Sequence, residues 1–165
     1  MIMQRPATPA DIPLLQAWDE DPFVAASDPH GDWERETTLA VAGLDNLIAE
    51  RDGRPIGLIQ IADLERDASR YWRPAQPGFM AIDFWIGAEA DRGQGHGRIL
   101  MQQAIARCSA DPAIHTAPID PLQTNIEAIR FDERLGFRFM ENRRFGKNDC
   151  AVRQLTRQDW ETRHD

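Results

Sequence analysis

Three glycines within five positions, Gly93, Gly95 and Gly97, stand in the run Asp91-Arg92-Gly93-Gln94-Gly95-His96-Gly97-Arg98. Before it, Phe79 to Ile86 is dense in apolar residues and reads as a strand with Asp83 in its middle. After it, from about Gly97 to Cys108, Met101, Ala104, Ile105 and Cys108 recur at helical spacing. A strand that turns through glycines into a helix leaves backbone amides uncovered and aims the helix's unpaired N–H groups outward, an arrangement that suits phosphate oxygens. The dipole of such a helix contributes roughly 0.3–1 kcal/mol per exposed charge, so several amides must act together with Arg92 or Arg98. The spacing is neither the G-x-G-x-x-G of dinucleotide sites nor a P-loop. Taken alone, a glycine turn without a ligand is as good a reading.

The rest of the chain alternates strands and helices. A strand is expected around Ile2 to Gln4, then a helix opened by Thr8 as N-cap with Pro9 at its first position, burying Leu14, Leu15 and Trp18. From Asp19 to Asp45 the pattern is broken by Pro22, Pro29 and Gly31, with room for one short helix around Trp33 to Thr38. Leu47 to Arg51 and Pro55 to Ala62 flank Asp52-Gly53, a tight-hairpin signal. Asp63 to Gly78 reads as loop, Ile114 to Asp120 as a strand, and Asn125 to Leu135 as a helix stopped by Gly136. Phe137 to Arg144 and Cys150 to Leu155 are two closing strands. This order gives an α+β fold with a mixed, mostly antiparallel sheet flanked by helices, in one domain over residues 1–165.

Composition narrows the function. A net charge of −8 repels phosphodiester backbones and argues against nucleic-acid partners, although such a charge equally serves solubility. Cys108 and Cys150 form no C-x-x-C pair, and no Cys/His cluster has metal-ligand spacing, so free thiols, a cytoplasmic location and no metal are expected. Neither a signal peptide nor an apolar membrane span is legible.

Two motifs carry a family resemblance. Arg92, Gly95 and Gly97 fit R-x-x-G-x-G, which resembles the pyrophosphate-binding motif of the GCN5-related N-acetyltransferases (GNAT). The stretch Asn125 to Phe137 is similar to that family's N-x-x-A-x-x-x-Y-E-x-x-G-F. The resemblance covers roughly Leu47 to Leu155 and implies the GNAT fold, with acetyl-CoA as donor and a central parallel strand pair that splays to admit the pantetheine arm. Pro118 and Pro121 fit this picture, since neither has the N–H of a continuously paired strand. By carry-over, the backbone of Phe84, Trp85 and Ile86 pairs with pantetheine. Arg92, Gly93 and the amides of Gln94, Gly95, His96, Gly97 and Arg98 hold the pyrophosphate, and Asn125 lies near the pantetheine arm or thioester.

Within the family the chain looks most like the aminoglycoside 6′-N-acetyltransferases: Ala81-Ile82-Asp83 precedes the glycine loop and Ile119-Asp120-Pro121 precedes Asn125. An attacking amine must lose a proton, and a carboxylate base typically contributes about 10²–10⁴-fold. Asp120 is the expected base, directly or through water, with Asp83 positioning the amine; turn chemistry at Asp-Pro, or an arginine partner for Asp83, are the alternatives. Phe23, Tyr71 and Trp72, with Trp18 and Trp33, are candidates for an aromatic acceptor wall, although Trp18 equally reads as core. His96 and His115 read as packing residues. Two departures stand out: Asp132 occupies the position of the family's usual tyrosine, which can protonate the thiolate, and Arg70 and Arg73 stand where acids are expected. The expected acceptor is the primary amine of a small molecule, aminoglycoside-like or a metabolite, and the expected assembly a monomer or homodimer. A protein N-terminal or lysine acetyltransferase and a non-catalytic CoA sensor remain alternatives.

Overall fold

Asp52 and Gly53 both take positive φ, 53° and 80°, and the turn they make folds Leu44–Arg51 (β2) onto Arg54–Asp63 (β3) in antiparallel register. The computed structural model describes residues 1–27, 41–67 and 70–163. Ile2–Pro6 (β1) pairs with β2, and Met80–Ile86 (β4) with β3, giving a four-stranded sheet in the order β1-β2-β3-β4. Thr116–Ile119 (β5), Arg138–Phe145 (β6) and Asn148–Thr156 (β7) form a second, three-stranded sheet in the order β5-β7-β6. The helices are Ile12–Asp19 (α1), Pro22–Ser27 (α2), His96–Ser109 (α3), Ile126–Leu135 (α4) and Arg157–Thr162 (α5).

The two sheets meet at β4 and β5, which run parallel and share one isolated bridge, Phe79 to Thr116. Backbone parity explains why pairing stops there. Gly87 N–H donates to Ile56 O (3.0 Å) and Leu64 N–H to Phe79 O (3.1 Å), so odd-numbered residues of β4 address β3. Phe84 and Ile86 therefore turn their backbone groups toward β5. On β5, Arg157 N–H donates to His115 O and Ala151 N–H to Pro121 O, both at 2.8 Å, so odd residues there address β7. Pro118 faces the gap with no N–H to give. Its missing donor costs the β5–β7 ladder nothing and ends the β4–β5 one.

The split sheet has two distinct faces. On one, Ile82, Phe84 and Ile86 pack with Leu100, Met101, Ala104 and Ile105 of α3 and with Ala117, Ile119 and Leu155. On the other, Trp85 packs with Leu15 and Trp18, and Ala81 with Leu64, Trp72, Phe145 and Cys150. Each fully buried aliphatic side chain is worth roughly 1.5–3 kcal/mol, so both sheets are clamped from both sides while the gap between them remains.

Local signals mostly govern where elements begin and end. Asn125 Oδ1 accepts from Ala128 N–H (3.1 Å) at the start of α4, and Gly136 ends it at φ 101°. Thr8 N–H and Oγ1 donate to Asp11 Oδ2, but Pro9–Asp11 is a 3-10 turn and α1 proper starts at Ile12. Two helices differ from expectation. Residues 22–27 are helical where an irregular segment is expected, with Asp21 Oδ1 accepting from Phe23 N–H. The terminal α5 is unforeseen, although Thr156 and Asp159 form its capping pair. The helix expected around Trp33 to Thr38 lies outside the described residues.

Candidate active site

The glycine loop is held from below by the β2–β3 hairpin. Asp91, 3% exposed, receives both Arg54 Nη groups at 2.8 and 2.6 Å, and this pairing holds its carboxyl below the usual range. Arg51, on the other side of the same turn, donates to Gln94 Oε1 (3.2 Å). His96 is buried with Nδ1 3.1 Å from Asp91 O, the packing role expected of it. Gly93 and Gly95 sit at φ 70° and 80°, and a Cβ on either meets nothing within 4 Å. Both are exposed just ahead of α3, with open space on the side a Cβ would take. Gly97 is small for another reason, since a Cβ there would come within 2.9 Å of the Phe84 ring, which in turn lies 5.6 Å from Phe131.

Arg92 and Arg98 part company. Arg92 turns inward, donating to Gly87 O (2.8 Å) and Ile86 O (3.3 Å), pairing with Asp21 (2.9 Å) and covering the Phe23 ring at 4.5 Å. Its guanidinium therefore fastens the loop to α2, whereas Arg98 is exposed in the first turn of α3.

On the opposite face, the loop after β3 brings Tyr71 to the end of β5, where its hydroxyl donates to Asp120 Oδ2. Burial pushes the Asp120 carboxyl up to about 6, against the lowering effect of the Tyr71 hydroxyl. The Tyr71 phenol is raised by burial, then by the Asp120 charge, with a further contribution from Asp83. Asp83, exposed on the same face of β4, thus belongs to one cluster with Tyr71 and Asp120. Tyr71 stacks on Phe145 (4.5 Å, 6° between planes), Trp72 meets both rings edge-on, and Arg143 lies 4.7 Å over Phe145 while donating to Arg73 O.

Not every residue expected here converges. Trp72 is 8% exposed and packs in the core beneath Tyr71, Phe23 sits under Arg92 at the glycine loop, and Trp33 falls outside the described residues. Trp18 is core, its indole filling the space a Cβ on Gly87 would need. Asn125 spends Oδ1 on its cap and keeps its amide N–H groups. His115 bridges Thr116 Oγ1 and Pro77 O. Sequence reasoning missed Arg51 and Arg54, whose only sequence signal is that they flank Asp52-Gly53. It also missed Phe145, which no local pattern ties to Tyr71. A cavity of about 400 Å³ lies elsewhere, at the far end of α3 beside Cys108 and Ile114, remote from this chemistry.

Two faces, one with the exposed glycines of the loop and the other carrying carboxylates, flank a gap between parallel strands. A family model described as an acetyltransferase (GNAT) domain matches residues 7–145. The chain belongs to the GNAT acetyltransferases. This GNAT chain is 28% identical over 102 residues to aminoglycoside N(6′)-acetyltransferase type 1 of Klebsiella pneumoniae, covering 61% of its own length and 51% of that protein's. It thus spans about half the length of the curated relatives it matches. Its fold follows that of an aminoglycoside acetyltransferase, AAC(6′)-Ib, solved with coenzyme A (TM-score 0.90, 22% identity, 100% of both chains). It also follows spermidine N-acetyltransferase from Vibrio cholerae, solved with CoA and spermine (TM-score 0.77, 13% identity, 97% of this chain and 98% of that one). Among the described residues, no helix of this GNAT chain is long and apolar enough to cross a membrane, and no group of His, Cys, Asp or Glu has the arrangement of a metal site.

Proposed function

We propose that the chain is a single-domain N-acetyltransferase that moves the acetyl group of acetyl-CoA to a primary amine of a small molecule, aminoglycoside-like or a metabolite. The observation that carries this reading is the two-sided gap between β4 and β5. The exposed Gly93 and Gly95, with empty space around them, precede α3 on one face, and Tyr71, Asp83 and Asp120 lie on the other. The pyrophosphate sits on the amides from Gly93 to Arg98 with the Arg98 side chain beside it. The pantetheine arm takes the gap-facing backbone groups of Phe84 and the N–H of Ile86, whose carbonyl already accepts from Arg92, with Asn125 near it, and the thioester reaches the gap. The amine enters from the Asp83 face, drawn by the two carboxylates, and Asp120 takes its proton as nitrogen bonds to the acetyl carbon. No metal takes part in this scheme.

Purified protein supplied with acetyl-CoA and a panel of aminoglycosides, polyamines, amino acids and peptides tests it by thiol release. Turnover with small amines and none with peptides supports the assignment. Peptides as the better acceptors would reverse it, and CoA binding without any thiol release would leave a sensor instead.

A further inference from the structure

The face that carries Tyr71, Asp83 and Asp120 holds charge of both signs. Two carboxylates suit an ammonium, yet arginines gather at the same end of the molecule. Arg70 and Arg73 flank Tyr71-Trp72 in sequence and are exposed, and the half-buried Arg143 arrives from β6. In a chain of net charge −8, three cations beside two carboxylates run against the average surface, and the proposed function gives them no work.

A chain of contacts ties Arg143 to the Tyr71–Asp120 pair. The Tyr71 hydroxyl donates to Asp120 Oδ2, the Tyr71 ring stacks on Phe145 at 4.5 Å, and the Arg143 guanidinium lies 4.7 Å from the Phe145 centroid. The guanidinium is therefore no farther than two stacking distances from the phenol ring. It is held by its face on Phe145 and by Nη2, which donates to Arg73 O. Neither contact uses Nη1 or Nε. Among the described residues no carboxylate pairs with Arg70, Arg73 or Arg143, whereas the next residue, Arg144, reaches Asp149 at 3.9 Å. A guanidinium fixed in this way presents its remaining N–H groups as a preorganised fork, which matches the paired oxygens of a carboxylate or phosphate. The same cations repel a second ammonium, so they select against polyamines as well as for anions.

Resting on the proposed acetyl transfer, we infer that the acceptor is an amine carrying its own oxyanion, a carboxylate or a phosphate, which Arg143 binds while the nitrogen lies at Asp120. Arg73 and Arg70 add positive charge around the anion, and the stacked rings of Tyr71 and Phe145 line the distance between the two ends. Carboxylates at one end and guanidiniums at the other fix which way such a molecule lies. A polycation gains from Asp83 and Asp120 but brings its further ammonium groups toward the arginines. The acceptor is thereby narrowed to a zwitterionic amine.

The test measures thiol release from acetyl-CoA with four amines that differ only in their tails: hexylamine, diaminohexane, aminohexanoate and aminohexyl phosphate. Wild type should show its highest kcat/KM with one of the two anionic amines, and the better of them names the oxyanion. For Arg143→Gln, the ratio of kcat/KM with that amine to kcat/KM with hexylamine should fall about 10- to 100-fold, chiefly through KM. Arg143→Lys should keep part of the preference. Arg143→Glu should turn it toward diaminohexane, a reversal that mere loosening of the loop at Arg73 would not produce. Where a variant does not fold, the wild-type ranking alone decides. Wild type faster with diaminohexane or with aminoglycosides than with either anionic amine overturns this inference alone, as does a ratio equal in wild type and all three variants. Absence of thiol release by wild type with any amine overturns it together with the acetyltransferase reading.

Discussion

Gly53 and Gly95 share a backbone φ of +80°, and a Cβ on either meets nothing within 4 Å. Alanine at each therefore carries the same backbone cost without a clash. Left-handed strain of roughly 1–2 kcal/mol is offset by about 0.4–1 kcal/mol from a less flexible unfolded chain, leaving about 1 kcal/mol. For a domain of this size that lowers Tm by roughly 2–4 °C, and both variants should fall alike. They should differ in binding. Gly53 is in the hairpin turn, whereas on the proposed reading the Gly95 Cβ would project into the space where the loop meets the pyrophosphate. A hydrogen bond to a charged group is worth about 1.5–3 kcal/mol, so losing one weakens CoA by about 10- to 100-fold. Calorimetric titration of CoA into both variants, alongside melting curves, measures this directly. CoA affinity equal in Gly95→Ala and Gly53→Ala would refute the claim that the open space at Gly95 is the anion cradle.

Other expectations are separately measurable. Asp120→Asn should lower kcat by about 10²–10⁴-fold with CoA affinity unchanged in calorimetry; a full rate would remove Asp120 as base. Tyr71→Phe removes a hydrogen bond that lowers the Asp120 pKa, so the ascending limb of the kcat–pH profile should move upward from about 6, and an unmoved limb would uncouple the pair. Asp11 is held at about 2 by Arg5 and the Thr8 donors, below its ordinary 3.8. A depressed carboxyl stabilises the fold above its unfolded pKa and loses that contribution as pH falls from about 4 toward 2. Acid titrations of melting temperature should therefore show a shallower decline for Asp11→Asn across that window.

Local chemistry made the glycine loop legible and left the carboxylate cluster obscure. Gly93 and Gly95 announce a helix start by their spacing, Asp52-Gly53 announces a hairpin, and Pro118 announces where a strand stops pairing; each effect is decided within a few residues. Gly97 already exceeds that reach, because its reason for being glycine is the Phe84 ring, thirteen residues earlier in sequence. Arg92 was legible as a motif residue but not in direction: its choice of Asp21 over open solvent is set by α2, a helix with a weak local signature. The cluster at the end of β5 joins Tyr71, Asp83, Asp120 and Phe145 from four segments, and no periodicity links them. Asp132 shows the same limit most sharply. Its helix was legible from Asn125 to Gly136, and so was its place as the residue standing where tyrosine is usual. That its carboxyl ends up buried, and is raised chiefly by that burial with Arg153 opposing, is set by packing that only the folded chain stages. The carboxyl cluster is therefore written in tertiary contacts, while the glycine loop is written in the local backbone.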